Sequence, residues 1–149
     1  MKKKVTKLTA LLLIMSVLFL QGCALTTPET SHLVKVEEDG RTLKADLKAS
    51  TDDGYEWQYL FDNKIFAETS SNFTNNIFSN TYGSTYTYTA NDVGTGNFYL
   101  ILVQNGDYQN AKVFSYVLTA GNDNSITIDK EGSFVLGSDV KLYNQVTGK

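Results

Sequence analysis

The chain predicts an all-β fold, and three observations carry that reading. Nine tyrosines and eight phenylalanines stand among many Thr, Asn and Val, residue types that suit a pleated, half-buried surface. Beyond residue 32, short runs of alternating apolar and polar residues are separated by clusters of Gly, Asn, Asp and Ser. No apolar stripe of helical period crosses the same region. Seven or more short strands punctuated in this way fit a sandwich or a barrel.

Taken in order, Leu33-Val34-Lys35-Val36 is a first short strand, and Glu38-Asp39-Gly40-Arg41 is a turn. Leu43, Ala45 and Leu47 alternate with Lys44, Asp46 and Lys48, the pattern of a strand with one wet face. Ser50-Thr51-Asp52-Asp53-Gly54 is turn chemistry, with short polar side chains followed by a glycine free to take positive φ. Residues 55–61 form the next strand. Tyr55 and Trp57 share one of its faces, and the single tryptophan is expected in the core.

Asp62-Asn63 turns the chain. Residues 65–69 are a shorter apolar run, 73–78 are a strand, and a loop containing Gly83 and Ser84 follows. Tyr86, Tyr88 and Ala90 alternate with Thr85, Thr87 and Thr89 in a further strand. After the turn at 91–96, residues 98–103 are continuously apolar, as a central strand covered on both faces would be, or one beside a second contact surface. Residues 104–110 read as a polar loop. Residues 111–120 form a long strand with Phe114, Tyr116 and Leu118 opposite Val113, Ser115 and Val117. Residues 121–149 read as an extension. It holds a terminal hairpin that turns at Lys130-Glu131-Gly132, and a tail through Leu142 and Tyr143 that adds a strand or packs down.

The N-terminus sets an expected location. Lys2, Lys3, Lys4 and Lys7 precede an apolar run from Leu8 to Leu20 that is short for a bilayer span. Leu20-Gln21-Gly22-Cys23 then resembles the lipobox of bacterial lipoproteins. That resemblance implies a signal peptide over 1–22, a diacylglyceryl group on Cys23 and a tether over 23–32. It also implies an extracytoplasmic chain anchored to a membrane of the cell envelope. Cys23 is the only cysteine, so no disulfide is available to the fold. The 126 residues that follow it suffice for one domain, 33–149, with its own core.

Without the four leader lysines, nine basic residues face 16 acidic ones, a balance near −7 that disfavours nucleic acid as a partner. His32 is the only histidine and lies in the tether region, so neither a catalytic base nor a zinc site is built around it. The Asn-Asp clusters at 91–92 and 122–124 lack the alternating oxygens and closing glutamate of a calcium loop. The expectation is therefore no enzyme, no metal and no cofactor.

Over residues 43–120 the order of features resembles the chagasin family, protein inhibitors of papain-like cysteine peptidases. The first family loop reads Asn-Pro-Thr-Thr-Gly-Tyr/Phe, followed after one residue by Trp. Here Ser50-Thr51-Asp52-Asp53-Gly54-Tyr55 precedes Glu56 and Trp57, so the Gly-Tyr-x-Trp end is kept and the four residues before it differ. Tyr82-Gly83-Ser84-Thr85, ahead of Tyr86-Thr87-Tyr88, is similar to the second, glycine-rich loop. Where the family has Arg-Pro-Trp/Phe, this chain has Gln104-Asn105-Gly106-Asp107-Tyr108.

The resemblance implies an immunoglobulin-like antiparallel β-sandwich whose three loops at one end enter a peptidase cleft. The partner-binding residues would be Asp52, Asp53, Gly54, Tyr55, Gly83, Ser84, Gln104, Asn105, Gly106 and Asp107. The departures have physical weight. A carboxylate about 4 Å from a catalytic thiolate costs on the order of 4 kcal/mol at an effective dielectric of about 20, and the absent Arg and aromatic are common interface anchors. The alternative expectation is a non-inhibitory surface module that binds a glycan or a structural partner through Tyr86, Tyr88, Tyr99 and Tyr116.

Overall fold

The structure, a computed structural model, describes residues 33–50, 52–76 and 80–149. The expected leader, Cys23, the tether with His32, Thr51, and the Ile77-Phe78 end of an expected strand lie outside the described residues. The strands are β1 (Val34–Val36), β2 (Thr42–Ser50), β3 (Tyr55–Phe61), β4 (Phe66–Asn76), β5 (Thr81–Ala90), β6 (Gly94–Gln104), β7 (Asp107–Ala120) and β8 (Ile126–Val135). A 3₁₀ turn (Leu136–Ser138) and helix α1 (Val140–Thr147) follow.

The strands form two antiparallel four-stranded sheets, ordered β1-β2-β5-β4 and β3-β6-β7-β8. The two sheets make an all-β sandwich, in which β8 adds an outer strand to the second sheet.

Alternation along each strand decides what lies between the sheets. Leu43, Ala45 and Leu47 of β2 and Tyr88 of β5 face Trp57, Phe98, Leu100, Phe114, Tyr116 and Leu118 from the other sheet, all buried. Phe61 stacks on Phe98 at 4.4 Å between ring centroids, and Trp57 meets Phe114 at 5.7 Å. Each such side chain contributes about 1.5–3 kcal/mol when fully buried, which makes this layer the main source of stability.

The unbroken apolar run in β6 has a second explanation on its other face. Ile101 and Val103, with Ala111 and Val113 of β7, pack against Leu136 and Leu142 from the 3₁₀ turn and α1. One end of the second sheet is therefore covered on both sides, while Tyr99 and Val117 on the same outer face stay half-buried.

Several expected elements differ. Residues 65–69 and 73–78 belong largely to one strand, β4, interrupted by a bulge at Thr69, since Glu68 pairs with Tyr88 and Ser70 with Thr87. Gly83 and Ser84 lie inside β5 and not in a loop. Gly83 leaves room there, since a Cβ would come 2.8 Å from Thr74 Oγ1 on the neighbouring strand and push that side chain aside. The expected loop at 104–110 shrinks to Asn105-Gly106, both at positive φ (50° and 75°), the geometry of a two-residue hairpin turn.

The terminal hairpin is one strand. Lys130, Glu131 and Gly132 pair with Val117, Tyr116 and Ser115, and the extra residue Asp129 is taken up as a bulge. Long β7 offers a continuous edge, and that pairing outweighs the local turn signal. The tail packs down as a helix. Asp139 caps it by accepting from Leu142 N at 3.0 Å, and Gly148 closes it at φ 72°.

Val34 pairs with Ala45 and Val36 with Leu43, so the chain enters β1 from the side on which β2 ends.

Candidate functional site

The connections β2–β3, β4–β5 and β6–β7 meet at one end of the sandwich, although they lie far apart in the chain. Gly54 takes φ 66°, which turns the chain into β3 and aims its carbonyl at the β6–β7 hairpin. Asn105 N donates to that carbonyl at 2.8 Å, and Gln104 Nε2 donates to the Asp53 carbonyl at 3.1 Å. On the other flank, Asn80 Nδ2 donates to Asp52 Oδ2 at 2.7 Å. Asn80 holds φ 47°, a left-handed conformation that Asn tolerates better than most residues.

Beneath the tip, aromatic groups fix the loop to both sheets. The Trp57 indole N–H donates to the Lys48 carbonyl at 2.9 Å, tying β3 to β2. The Tyr82 hydroxyl accepts from Trp57 N at 3.2 Å and donates to the Tyr55 carbonyl at 3.0 Å, which joins β5 to β3. Burial raises the Tyr82 phenol above its ordinary value, so it stays protonated and able to donate. Trp57 is buried, as expected, and Tyr55 is half-buried at the rim.

The tip itself is acidic and open. Asp52, Asp53, Gln104, Asn105, Gly106 and Asp107 are exposed, and a side chain at Gly106 would meet nothing within 4 Å. Asp107 is held in place by Asn110, which donates from its backbone at 3.2 Å and from its side chain at 2.8 Å. Those bonds, the side-chain one first, lower the Asp107 carboxyl below its usual range. A groove of about 400 Å³ opens beside the hairpin, lined by Gly106, Asp107 and Tyr108 on one wall and Tyr143 and Val146 of α1 on the other.

Of the expected contact residues, Asp52, Asp53, Gly54, Tyr55, Gln104, Asn105, Gly106 and Asp107 are brought together here. Gly83 and Ser84 are not. They sit along β5, and Ser84 is only 3% exposed, with its side chain turned into the sandwich. Their place at the tip is taken by Asn80, which the sequence reading did not single out, and Tyr82 supplies the clamp below. The one available signal was the positive-φ tolerance of an Asn just ahead of a strand. Of the tyrosines considered for a glycan or structural partner, Tyr88 and Tyr116 are fully buried, whereas Tyr86 and Tyr99 are half-buried.

Chemically, the site offers carboxylates and a preorganised backbone. Among the described residues no cluster of three His, Cys, Asp or Glu is placed to hold a metal ion. Comparison with protein-family models, curated proteins and solved structures finds no match for this chain.

Proposed function

We propose that the chain is a non-catalytic, lipid-anchored protein of the bacterial cell envelope, with an immunoglobulin-like sandwich that docks another protein through its loop end. The docking mode implied by the chagasin resemblance is insertion into the cleft of a papain-like cysteine peptidase, which blocks it. The observation that supports this reading is the mutual tethering of three distant connections, Asp52 to Asn80 and Asp53-Gly54 to Gln104-Asn105. A wedge already held in one shape loses little freedom on binding, and that favours affinity. Asp52 and Asp53 at its tip select a cleft whose rim carries positive charge.

The test is inhibition of a panel of papain-like peptidases by the domain lacking residues 1–23. The expected result is competitive inhibition of at least one. Failure to inhibit any at micromolar concentration removes the peptidase role. The anchor is tested by labelling bacteria that express the full-length chain with a fatty-acid analogue, where the parent chain takes up label and Cys23→Ser does not.

A second reading, a non-inhibitory module for a glycan or structural partner, draws support from Tyr86 beside the exposed Phe73 on the inner side of β4. Glycan binding without peptidase inhibition would favour it.

A further inference from the structure

A strand at a sheet edge presents outward N–H and C=O groups, and folded proteins blunt such edges with shortness, charge, proline or bulges. Three of the four edges here carry those devices. β1 is three residues long and bears Lys35, ion-paired to Glu37 at 3.1 Å. β8 has the Asp129 bulge and exposed Lys130 and Glu131. β3 bears exposed Glu56 and is bridged to the other sheet where the Tyr59 hydroxyl donates to Glu68.

Beyond its bulge at Thr69, the outer part of β4 carries none of them. Residues 70–76 are all exposed, uncharged, and free of proline and glycine. The Thr69 bulge is what gives this stretch its character. Phe66 and Glu68 are even-numbered and share a face, and the extra residue shifts the alternation so that Ser71, Phe73 and Asn75 occupy that same face. Phe73 thereby stands edge-on to Tyr86 at 5.8 Å between centroids, with 67% of its surface exposed. A large apolar ring is thus held at the middle of an open, neutral strand.

We infer that this edge pairs with the same edge of a second copy of the chain, antiparallel across a two-fold axis at Phe73. The run is self-complementary about that residue. Phe73 faces its counterpart, Asn72 faces Thr74, and Ser71 faces Asn75. These are aromatic and polar cross-strand pairs of the kind that stabilise sheets. Charge favours the same occupant. The chain has 16 acidic against 13 basic residues, and two acidic copies approach with least repulsion at a surface that carries no charge. The result is one continuous eight-stranded sheet, independent of what the loop end binds. The contact is a single strand wide, so the dimer is weak and concentration-dependent.

The test uses the full-length chain in mild detergent, with Cys23→Ser so that a single introduced cysteine reports the register. Under mild oxidation Phe73→Cys gives an interchain disulfide. Mixed Ser71→Cys and Asn75→Cys chains cross-link to each other, while Asn75→Cys alone does not. Amides of residues 71–75 in the chain without introduced cysteines become slower to exchange as concentration rises, and Phe73→Lys abolishes that protection. Equal cross-linking at every position, exchange that ignores concentration, or a dimer that survives Phe73→Lys overturns the inference.

Discussion

Gly54 meets two demands at once. Its φ of 66° lies where a Cβ is strained, and the space a Cβ would fill is occupied by the Asn105 side chain. Gly54→Ala is therefore expected to cost about 1–2 kcal/mol from the left-handed backbone alone, with more from displacing the hairpin. A lower urea midpoint at unchanged slope is the predicted readout, and an unchanged midpoint would contradict it. This glycine was legible in the sequence as the end of a turn, and Trp57 was legible as core. The partner that fills the space beside Gly54 was not, because Asn105 is brought to it only by the pairing of β3 with β6.

At the scale of elements, the sequence was readable wherever alternation kept its phase. β2, β3, β5 and β7 follow from the period of two and β6 from its unbroken apolar run, although β5, β6 and β7 each begin about four residues earlier than expected. The two bulges broke that reading. The shift at Thr69 made one strand look like two, and the shift at Asp129 let Lys130-Glu131-Gly132 pass for a turn. The candidate site suffered in the same way. A glycine signals a loop more often than close contact with a neighbouring strand, so Gly83 and Ser84 drew attention that belonged to Asn80.

Helix α1 was missed because it is short and only partly apolar, although its cap and its closing glycine are present in the chain. Removing the cap, as in Asp139→Ala, is expected to cost about 1 kcal/mol and to loosen Leu142 from the outer face of the second sheet. Faster hydrogen exchange in residues 140–147 than in β7 is the measurement. Equal protection in parent and variant would show that packing alone holds the helix.

For the whole molecule, the aromatic core sets a limit at high pH. Tyr88 and Tyr116 are fully buried, and burial pushes both phenols upward. The Tyr88 hydroxyl has no hydrogen-bond partner among the described residues. Tyr59 is pushed up to about 12, by burial first and then by its bond to Glu68. In the unfolded chain these groups titrate near about 10. Folding thus holds protons that the unfolded chain releases. The stability tied to that difference is complete below about pH 10 and falls as pH climbs through the raised folded values. Urea midpoints are expected to decline from about pH 10 upward, and Tyr88→Phe is expected to flatten the decline. A midpoint that stays constant across that range would refute the assignment.

The two-sided second sheet also imposes an order in time. Ile101, Val103, Ala111 and Val113 are made before Leu136 and Leu142, the residues that cover them. Leu142 follows Val113 by 29 residues, roughly 1.5–6 s of synthesis at about 5–20 residues per second. Throughout that interval the nascent chain carries an apolar strip that only its last turns of backbone conceal. Helix α1 and the 3₁₀ turn are thus a late seal, and a chain stopped before Leu136 keeps its sandwich core while leaving that strip open to whatever it meets first.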